Sequence, residues 1–293
     1  KEPSPQESVR ERGLLFAVVI ENLPEARPQS GLSSADFVIE TLSESGITRF
    51  LAFFDDHQDV SKIGPVRSAR PYFIDWALGF GSILVHSGVS KEAESKIEEF
   101  PSRIFDLNEF FNETYFWRDT LRPAPHNLFT SSAFLEEWAT SREIEGSAEL
   151  GWRLKRNESM ATSTVTEIEV DFSSPAYFVA YKYNPSKNSY DRFIANKPDL
   201  DASQNIQISP KNVVVLFTNS AVIDPQLLTI NLTTLGSGRA VIFRDGQVIS
   251  GRWKKDASTS ALRLLEADDS LIALNVGLTW FAVIDQNGVV TWE

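Results

Sequence analysis

Two arginines in a short polar segment are the first residues of this sequence that suggest chemistry. Arg67 and Arg70 lie three residues apart in the run G-P-V-R-S-A-R-P, which occupies positions 64–71. If both were helical, they would share a face and could hold one carboxylate or phosphate between them. Backbone N–H groups at the helix start would add donors. The alternative is structural: the arginines could pair with carboxylates such as Asp55 or Asp75 and brace the fold.

The histidines supply candidate acid/base groups. His86 closes a short apolar run with the pattern of a strand, and open α/β sheets place ligand-contacting groups at strand ends. His126 lies between Pro125 and Asn127, in a loop of the kind that presents side chains. The competing interpretation of His86 is a core histidine bonded to the backbone. His57 lies in an acidic loop and is interpreted as solvated.

A hydrolytic site would need a carboxylate beside one of these histidines. Glu40 is a candidate, and Glu21 and Asp36 are alternatives. In such a site His86 or His126 would act as the general acid/base, while the arginines would stabilise developing negative charge. The sequence leaves the catalytic residues open, with His86, His126 and Glu40 as candidates.

Sequence signals for a metal site, a catalytic triad, a phosphate-binding loop and a sugar-stacking surface are weak. Neither histidine has a close-spaced partner of the H-x-x-x-H kind, so the sequence predicts no metal site and indicates no cofactor. No G-x-S-x-G turn supports a Ser-His-acid triad. The run G-S-G-R-A at 236–240 resembles a phosphate-binding loop, but a strand pattern follows it, so we expect a β-turn or bulge. The aromatic cluster from Phe110 to Trp117 could stack on sugar rings, although core packing is the more common role.

Composition narrows the class of protein. The chain has 293 residues, of which 42% are hydrophobic and 23% charged, as in ordinary globular proteins. Its net charge of −12 argues against a general nucleic-acid surface, which needs clustered positive charge. The chain has no Cys, which excludes disulfides and thiolate chemistry. Because it begins at Lys1 and residues 1–13 are polar, we expect a processed product with a flexible lead-in.

The first half of the chain alternates apolar runs with helical patterns. Buried strands are predicted at 14–20, 50–54 and 83–86, and helices at 72–78, 91–100 and from Ser131 or Ser132 to about Ser141. The segment Phe37–Leu42, which contains Glu40, fits either a helix or a strand. This alternation indicates an α/β region with a largely buried sheet.

The second half has a different pattern. From Thr164 onward, short alternating or apolar runs are separated by turn signals such as Asp245-Gly246 and Asn287-Gly288. The polar tract at 143–163 is the candidate junction. We therefore predict an α+β protein with a flexible lead-in at 1–13, an α/β N-terminal domain at 14–160 and a β-rich C-terminal domain at 161–293.

Several motifs resemble those of the YerB family of predicted bacterial envelope lipoproteins. Those of the first half are R-P-Q-S-G-L-S-S-A-D (27–36), G-I-T-R-F-L-A-F-F (46–54), K-I-G-P-V-R-S-A-R-P-Y-F (62–73) and A-P-H-N-L-F-T (124–130). Those of the second half are Y-D-R-F (190–193), N-V-V-V-L-F-T (212–218), G-S-G-R-A-V-I-F-R-D-G (236–246) and G-R-W-K-K (251–255). The resemblance implies a two-region protein held outside the cytoplasmic membrane through a lipid-modified N-terminal Cys that precedes this sequence. It implies no reaction.

These observations favour a ligand-binding envelope protein over an enzyme. The expected ligand is anionic or a carbohydrate, and the expected partners are a cell-wall polymer or a cell-wall enzyme, with no nucleic acid and no membrane contact beyond the removed anchor. The residues expected to bind it are Arg27, Arg67, Arg70, His86, His126 and Asn127. The alternative is a hydrolase of wall polymers or phosphoesters, with a histidine as general acid/base and a carboxylate partner.

Overall fold

The first half of the chain alternates strands with short helices. The computed structural model describes residues 13–146, 148–160, 162–226 and 228–293, and the predicted lead-in at 1–13 lies almost entirely outside them. In chain order the elements of this half are β1 (Leu15–Glu21), β2 (Phe37–Leu42), β3 (Thr48–Asp55), α1 (Pro71–Gly79), β4 (Ile83–His86), α2 (Lys91–Glu99), β5 (Phe105–Asn108), β6 (Trp117–Arg118), β7 (Leu128–Phe129), α3 (Ser132–Ser141) and β8 (Arg153–Lys155). Single-turn 3-10 helices lie at Pro24–Ala26, Leu32–Ser34, Glu109–Phe111 and Glu113–Tyr115. The ambiguous segment that contains Glu40 is therefore a strand, β2.

The second half is built from strands. They are β9 (Glu167–Asp171), β10 (Phe178–Asn184), β11 (Ser189–Ile194), β12 (Lys197–Pro198), β13 (Leu200–Asp201), β14 (Ile206–Gln207), β15 (Asn212–Thr218), β16 (Ser220–Asp224), β17 (Thr229–Leu232), β18 (Gly236–Arg244), β19 (Gln247–Lys255), β20 (Arg263–Leu265), β21 (Ala273–Asn275), β22 (Thr279–Asp285) and β23 (Val290–Trp292). A 3-10 turn at Pro175–Tyr177 precedes β10. The β-rich pattern of the sequence from Thr164 onward is confirmed.

A ten-stranded sheet forms the centre of the described structure. Its strands follow the order β20-β19-β18-β15-β22-β2-β3-β1-β4-β5, so each half of the chain contributes strands. The halves join where β2 pairs in parallel with β22, from Phe37 opposite Thr279 to Thr41 opposite Val283. The tract at 143–163, where the sequence suggests a domain junction, therefore connects two segments that share one sheet.

The side chains of β1 show that this sheet is buried on both faces. Successive side chains of a strand point to opposite faces; Phe16 and Val18 belong to one apolar cluster, and Leu15 and Ala17 belong to the other. A five-stranded sheet with the order β12-β11-β10-β9-β23 covers the first cluster, and the aromatic side chains of α1 cover the second. The predicted fold class is confirmed: an α+β protein with a largely buried sheet in its N-terminal region and a predominantly β C-terminal region.

Helix ends follow local sequence signals. The hydroxyls of Ser90 and Ser131 accept hydrogen bonds from the backbone N–H groups of Ala93 and Phe134 and so cap α2 and α3. Pro71 occupies the first position of α1, where its missing N–H costs no hydrogen bond. None of the helices among the described residues is long and apolar enough to cross a membrane.

Six strands of the central sheet run in one direction and end at the same edge. β1, β4 and β5 pair in parallel, as do β2, β22 and β15. β3 links the two groups because it is antiparallel to both β1 and β2. We call this edge the carboxyl edge, and the strands end there at Glu21, Leu42, His86, Asn108, Thr218 and Asp285. Open sheets usually bind ligands at such an edge.

Candidate functional site

An extended segment at 63–69 separates β1 from β4 at the carboxyl edge. The backbone N–H of Arg67 donates to the carbonyl of Val19 at 2.9 Å, and the carbonyl of Arg67 accepts from the N–H of Ser87 at 3.1 Å. The two strands pair directly only up to Val18 and then part to admit the segment. A crevice between strands at their carboxyl ends is a usual position for a ligand site.

Because the segment at 63–69 is extended, Arg67 and Arg70 do not share a helical face. A shared helical face would require both residues to be helical, but Arg67 lies in the extended segment and Arg70 is the N-cap of α1, with φ −128° and ψ 159°. Three residues of extended chain turn side chains to opposite sides. The arginines accordingly bind different carboxylates: Arg67 approaches Glu21, and Arg70 binds Glu44. They do not form one clamp.

Glu21, Arg67 and His126 meet at this edge, and we call them the Arg–Glu–His cluster. The Glu21 carboxylate is buried, and its Oε2 accepts a hydrogen bond of 2.9 Å from Nδ1 of His126. Its other oxygen, Oε1, lies 3.2 Å from Nε of Arg67. The side chains of His126 and Arg67 are 15% and 28% exposed, so a ligand can reach both.

The contact with Glu21 orients the imidazole of His126. Because a carboxylate only accepts, the proton lies on Nδ1, and Nε2 of the neutral ring keeps its lone pair. Within the described ranges, neither Nε2 of His126 nor the two Nη atoms of Arg67 have a hydrogen-bond partner. The cluster therefore presents one edge of a guanidinium and one ring nitrogen to a ligand.

Backbone pairing brings His126 to the end of β1. The N–H of Val66 donates to the carbonyl of Leu128 at 2.8 Å, which places β7 against the extended segment. Arg122, in the same loop as His126, donates to the carbonyl of Ala26 at 2.8 Å. The loop is therefore attached on both sides of the histidine, and its position depends on contacts that are distant in sequence.

Arg70 belongs to a neighbouring ion-pair group with Arg49 and Glu44. The Glu44 carboxylate accepts from Nη2 of Arg49 at 2.7 Å and from Nη2 and Nε of Arg70 at 2.9 and 3.1 Å. Nη1 of Arg70 donates to the carbonyl of Ala69, so every nitrogen of its guanidinium has a partner. Burial alone would raise the pKa of Glu44, but the two guanidiniums hold it below its ordinary value. Arg70 thus braces the entry to α1.

His86 is buried and fully paired. Its Nδ1 lies 2.8 Å from the carbonyl of Gly88, and its Nε2 lies 2.5 Å from Oδ1 of Asp106. A carbonyl only accepts, so Nδ1 carries a proton, and the contact with Asp106 needs a second proton between Nε2 and the carboxylate. This arrangement matches the core interpretation of His86, and the structure does not bring it to the Arg–Glu–His cluster.

Glu40 lies in the protein interior. Its Oε2 accepts from Nη2 of Arg192 at 2.7 Å and from Nε1 of Trp280 at 3.0 Å, and its Oε1 accepts from the Thr48 hydroxyl at 2.9 Å. Burial works to lower the pKa of Arg192, but the Glu40 carboxylate outweighs it, and the pKa is raised. Solvent does not reach either side chain. The ion pair is therefore part of the protein core.

Arg27 and Asn127 also bind other protein groups. Arg27 donates to the side chain and carbonyl of Asn22 and to the carbonyl of Ala176, and its guanidinium lies over the Tyr177 ring. It therefore fastens the first half of the chain to the second. The side chain of Asn127 accepts from Arg118 at 3.3 Å. Neither residue joins the cluster.

Sequence reasoning missed parts of this arrangement. Glu44 was not identified as the carboxylate that Arg70 and Arg49 share, and Arg192 was not identified as the partner of Glu40. The Y-D-R-F motif that contains Arg192 was an available signal, because it is one of the segments that resemble the family. Asp55, Asp56 and His57 offer atoms within 4.8 Å of one another. They lie at the end of β3, at the opposite edge of the sheet, and such a group alone does not indicate a metal.

Comparison with known proteins agrees with the resemblance seen in the motifs. Two family models match: the N-terminal domain of the "Protein of unknown function (DUF3048)" over residues 2–145, and its C-terminal domain over residues 168–281. The Bacillus subtilis (strain 168) protein named "Putative lipoprotein YerB" is 32% identical over 242 residues, which cover 82% of this chain and 72% of the relative. The crystal structure of YerB from Bacillus subtilis has a TM-score of 0.82 at 30% identity, covering 98% of this chain and 97% of that one. The chain belongs to the YerB-like family, which these DUF3048 models describe.

Proposed function

We propose that this chain is an envelope protein outside the cytoplasmic membrane that binds an anionic cell-wall ligand at the Arg–Glu–His cluster. The name of the Bacillus subtilis relative and the motifs shared with its family support this location. The observation that supports an anionic ligand is the state of the Arg67 side chain. It is 28% exposed, and among the described residues its two Nη atoms have no partner. A carboxylate or phosphate group is the chemistry that such a fork binds in bidentate fashion.

Two exposed aromatic rings that follow the end of β5 at the carboxyl edge support a ligand that also carries sugar rings. The rings of Phe110 and Phe111 are 68% and 84% exposed. Phe110 packs over Gly88, where an added Cβ would lie 3.3 Å from the ring and 3.5 Å from the hydroxyl of Ser68, the neighbour of Arg67. Exposed aromatic rings at the same edge as Arg67 supply the apolar surface on which a sugar ring can stack. The net charge of −12 provides no long-range attraction for anions, so selectivity must come from these local contacts.

Two arginine variants test the proposal as a matched pair. Arg67→Ala removes the available guanidinium, whereas Arg70→Ala removes one whose nitrogens are all committed to Glu44 and Ala69. Calorimetric titration with soluble muropeptides and with glycerol phosphate oligomers should show binding that Arg67→Ala weakens about tenfold or more. Arg70→Ala should retain the affinity and lower the thermal stability. Equal affinity of the wild type and Arg67→Ala for every wall fragment would refute this function.

A hydrolase remains the second candidate because one histidine does have a carboxylate partner. Nδ1 of His126 lies 2.9 Å from Glu21, which would orient the ring for general acid/base work, and Arg67 is placed to stabilise negative charge. Glu40 and His86, the other candidates, are buried and paired. Incubation of wall polymers and phosphoesters with the wild type and with His126→Ala, followed by chromatography of the products, distinguishes the two functions. Products that form with the wild type and not with the variant indicate hydrolysis, and an absence of products in both leaves binding alone.

A further inference from the structure

We propose that a second ligand site lies at the carboxyl edge, in a cleft between β15 and β18, and that it takes an acidic sugar. The cleft has a volume of about 320 Å³, at the lower end of the range of small-molecule sites. It is formed where β15 ends at Thr218 and β18 begins at Gly236, so the G-S-G-R run of the sequence supplies one wall. The inference rests on residues that the proposed function does not use.

Four polar side chains of this cleft are available to a ligand, because they lack partners among the described residues. Asn219, Thr233, Ser237 and Gln286 are exposed and line the cleft. No hydrogen bond in the described ranges engages the amide of Asn219 or Gln286, or the hydroxyl of Thr233 or Ser237. Two amides and two hydroxyls offer both donors and acceptors, which is the chemistry needed to bind sugar hydroxyls.

The side chain of Arg239 lies at the wall of the cleft that the G-S-G-R run forms. The guanidinium of Arg239 stacks over the ring of Phe217, 3.6 Å from its centroid, and within the described part of the chain it has no acidic partner. None of the residues that line the cleft is acidic. Since stacking holds the planar group while leaving its N–H groups at the rim, Arg239 is suited to bind one carboxylate.

The glycines of the run keep the cleft open. An added Cβ at Gly238 would lie 2.4 Å from Nε1 of Trp253 and 2.5 Å from the carbonyl of Phe217. Those two atoms share a hydrogen bond of 2.8 Å that fixes the back of the cleft. Gly236 adopts φ +104°, a conformation that favours glycine. The run therefore resembles a phosphate loop in composition only. It is the start of β18 and pairs with β19 in unbroken register, so the β-turn or bulge expected from the sequence is not found there.

The combination of groups selects the ligand class. A simple anion would need only Arg239, and a neutral sugar would need only the amides and hydroxyls. A pyranose that carries a carboxylate uses both sets. The site is separate from the Arg–Glu–His cluster, because four strand spacings lie between β15 and β1, roughly 19 Å along the edge.

Nuclear magnetic resonance titration of the protein tests the inference with three probes. N-acetylmuramic acid combines ring and carboxylate, N-acetylglucosamine has the ring alone, and lactate has the acid alone. We expect N-acetylmuramic acid to shift the side-chain amide signals of Asn219 and Gln286. Arg239→Met, which keeps an apolar stem over Phe217, should weaken its binding about tenfold.

A matched control is available at α3. Arg142 also stacks over an aromatic ring, that of Trp138 at 4.8 Å. It is not among the residues that line the cleft beside Arg239, so Arg142→Met should leave the affinity unchanged. Equal binding of lactate and N-acetylmuramic acid would overturn the sugar specificity. No shift of the Asn219 and Gln286 signals at millimolar N-acetylmuramic acid, or an equal loss of affinity in both methionine variants, would overturn the site.

Discussion

Oε2 of Glu21 lies 2.9 Å from Nδ1 of His126, although 105 positions separate the two residues. Glu21 ends β1, and His126 belongs to a loop that backbone pairing holds against the extended segment at 63–69. The same carboxylate lies 3.2 Å from Nε of Arg67. One buried carboxylate thus positions a histidine and an arginine that both reach the solvent.

Replacement of Glu21 should therefore destabilise the protein. Glu21→Gln keeps the shape of the side chain but removes the charge that faces Arg67 and His126, and we expect a loss of about 1–3 kcal/mol in the free energy of unfolding. Urea denaturation measures it. Glu25→Gln is the control, since Glu25 is exposed in the same region and should change stability by less than about 0.5 kcal/mol. Equal stabilities of the two variants would contradict the role given to Glu21.

The Glu44 group should make stability depend on pH in the acid range. Its folded-state pKa is held below the ordinary value of 4.5 by Arg49 and Arg70, which outweigh burial. A carboxyl with a depressed pKa contributes stability above its unfolded value, and this contribution is lost as the pH falls through the folded value. The difference in unfolding free energy between the wild type and Glu44→Gln should therefore shrink as the pH is lowered from 6 to 3. A difference that is constant over this range would contradict the pairing.

The buried pair of Arg192 and Glu40 should be costly to break. Arg192→Met leaves Glu40 without its cation in the interior, where both side chains are inaccessible to solvent. Removal of one partner from a buried pair typically costs about 3–5 kcal/mol, and thermal and urea unfolding should show a loss of that size. Addition of Glu40→Gln to the first change should recover part of it, because the charge of Glu40 is then gone, while Asp199, which Arg192 also contacts, stays without its cation. A double variant no more stable than Arg192→Met would indicate that the charge of Glu40 is not the cause.

Lys255 should make stability rise with pH in the alkaline range as well. Burial is the main reason that its pKa is lowered from 10.5 to about 8. Between these values the unfolded chain binds more protons than the folded one, so stability should rise with pH. The comparison of the wild type with Lys255→Met from pH 7 to pH 10 isolates this contribution, and the variant should lack the rise. Parallel pH profiles would show that Lys255 does not titrate differently in the two states.

Local patterns in the sequence determined the elements and the family. Apolar runs marked β1, β3 and β4, a serine cap marked α3, and long motifs marked the YerB-like family. These features depend on the side-chain period of a strand and on hydrogen bonds between near neighbours. They could also show that Arg67 and His126 were candidates, because both lie in polar units between such elements.

Only the tertiary structure determines which contacts the candidate site residues make. Arg67 and Arg70 failed to share a face because the backbone hydrogen bonds of their segment go to β1 and β4 and keep it extended. Glu40 became a core residue because Arg192, 152 positions away, neutralises it. The cleft beside Arg239 exists because β15 and β18 become neighbours in a sheet shared by both halves. Each outcome depends on strand pairing over long sequence distances, where the position of a partner is set by the whole sheet and not by adjacent residues.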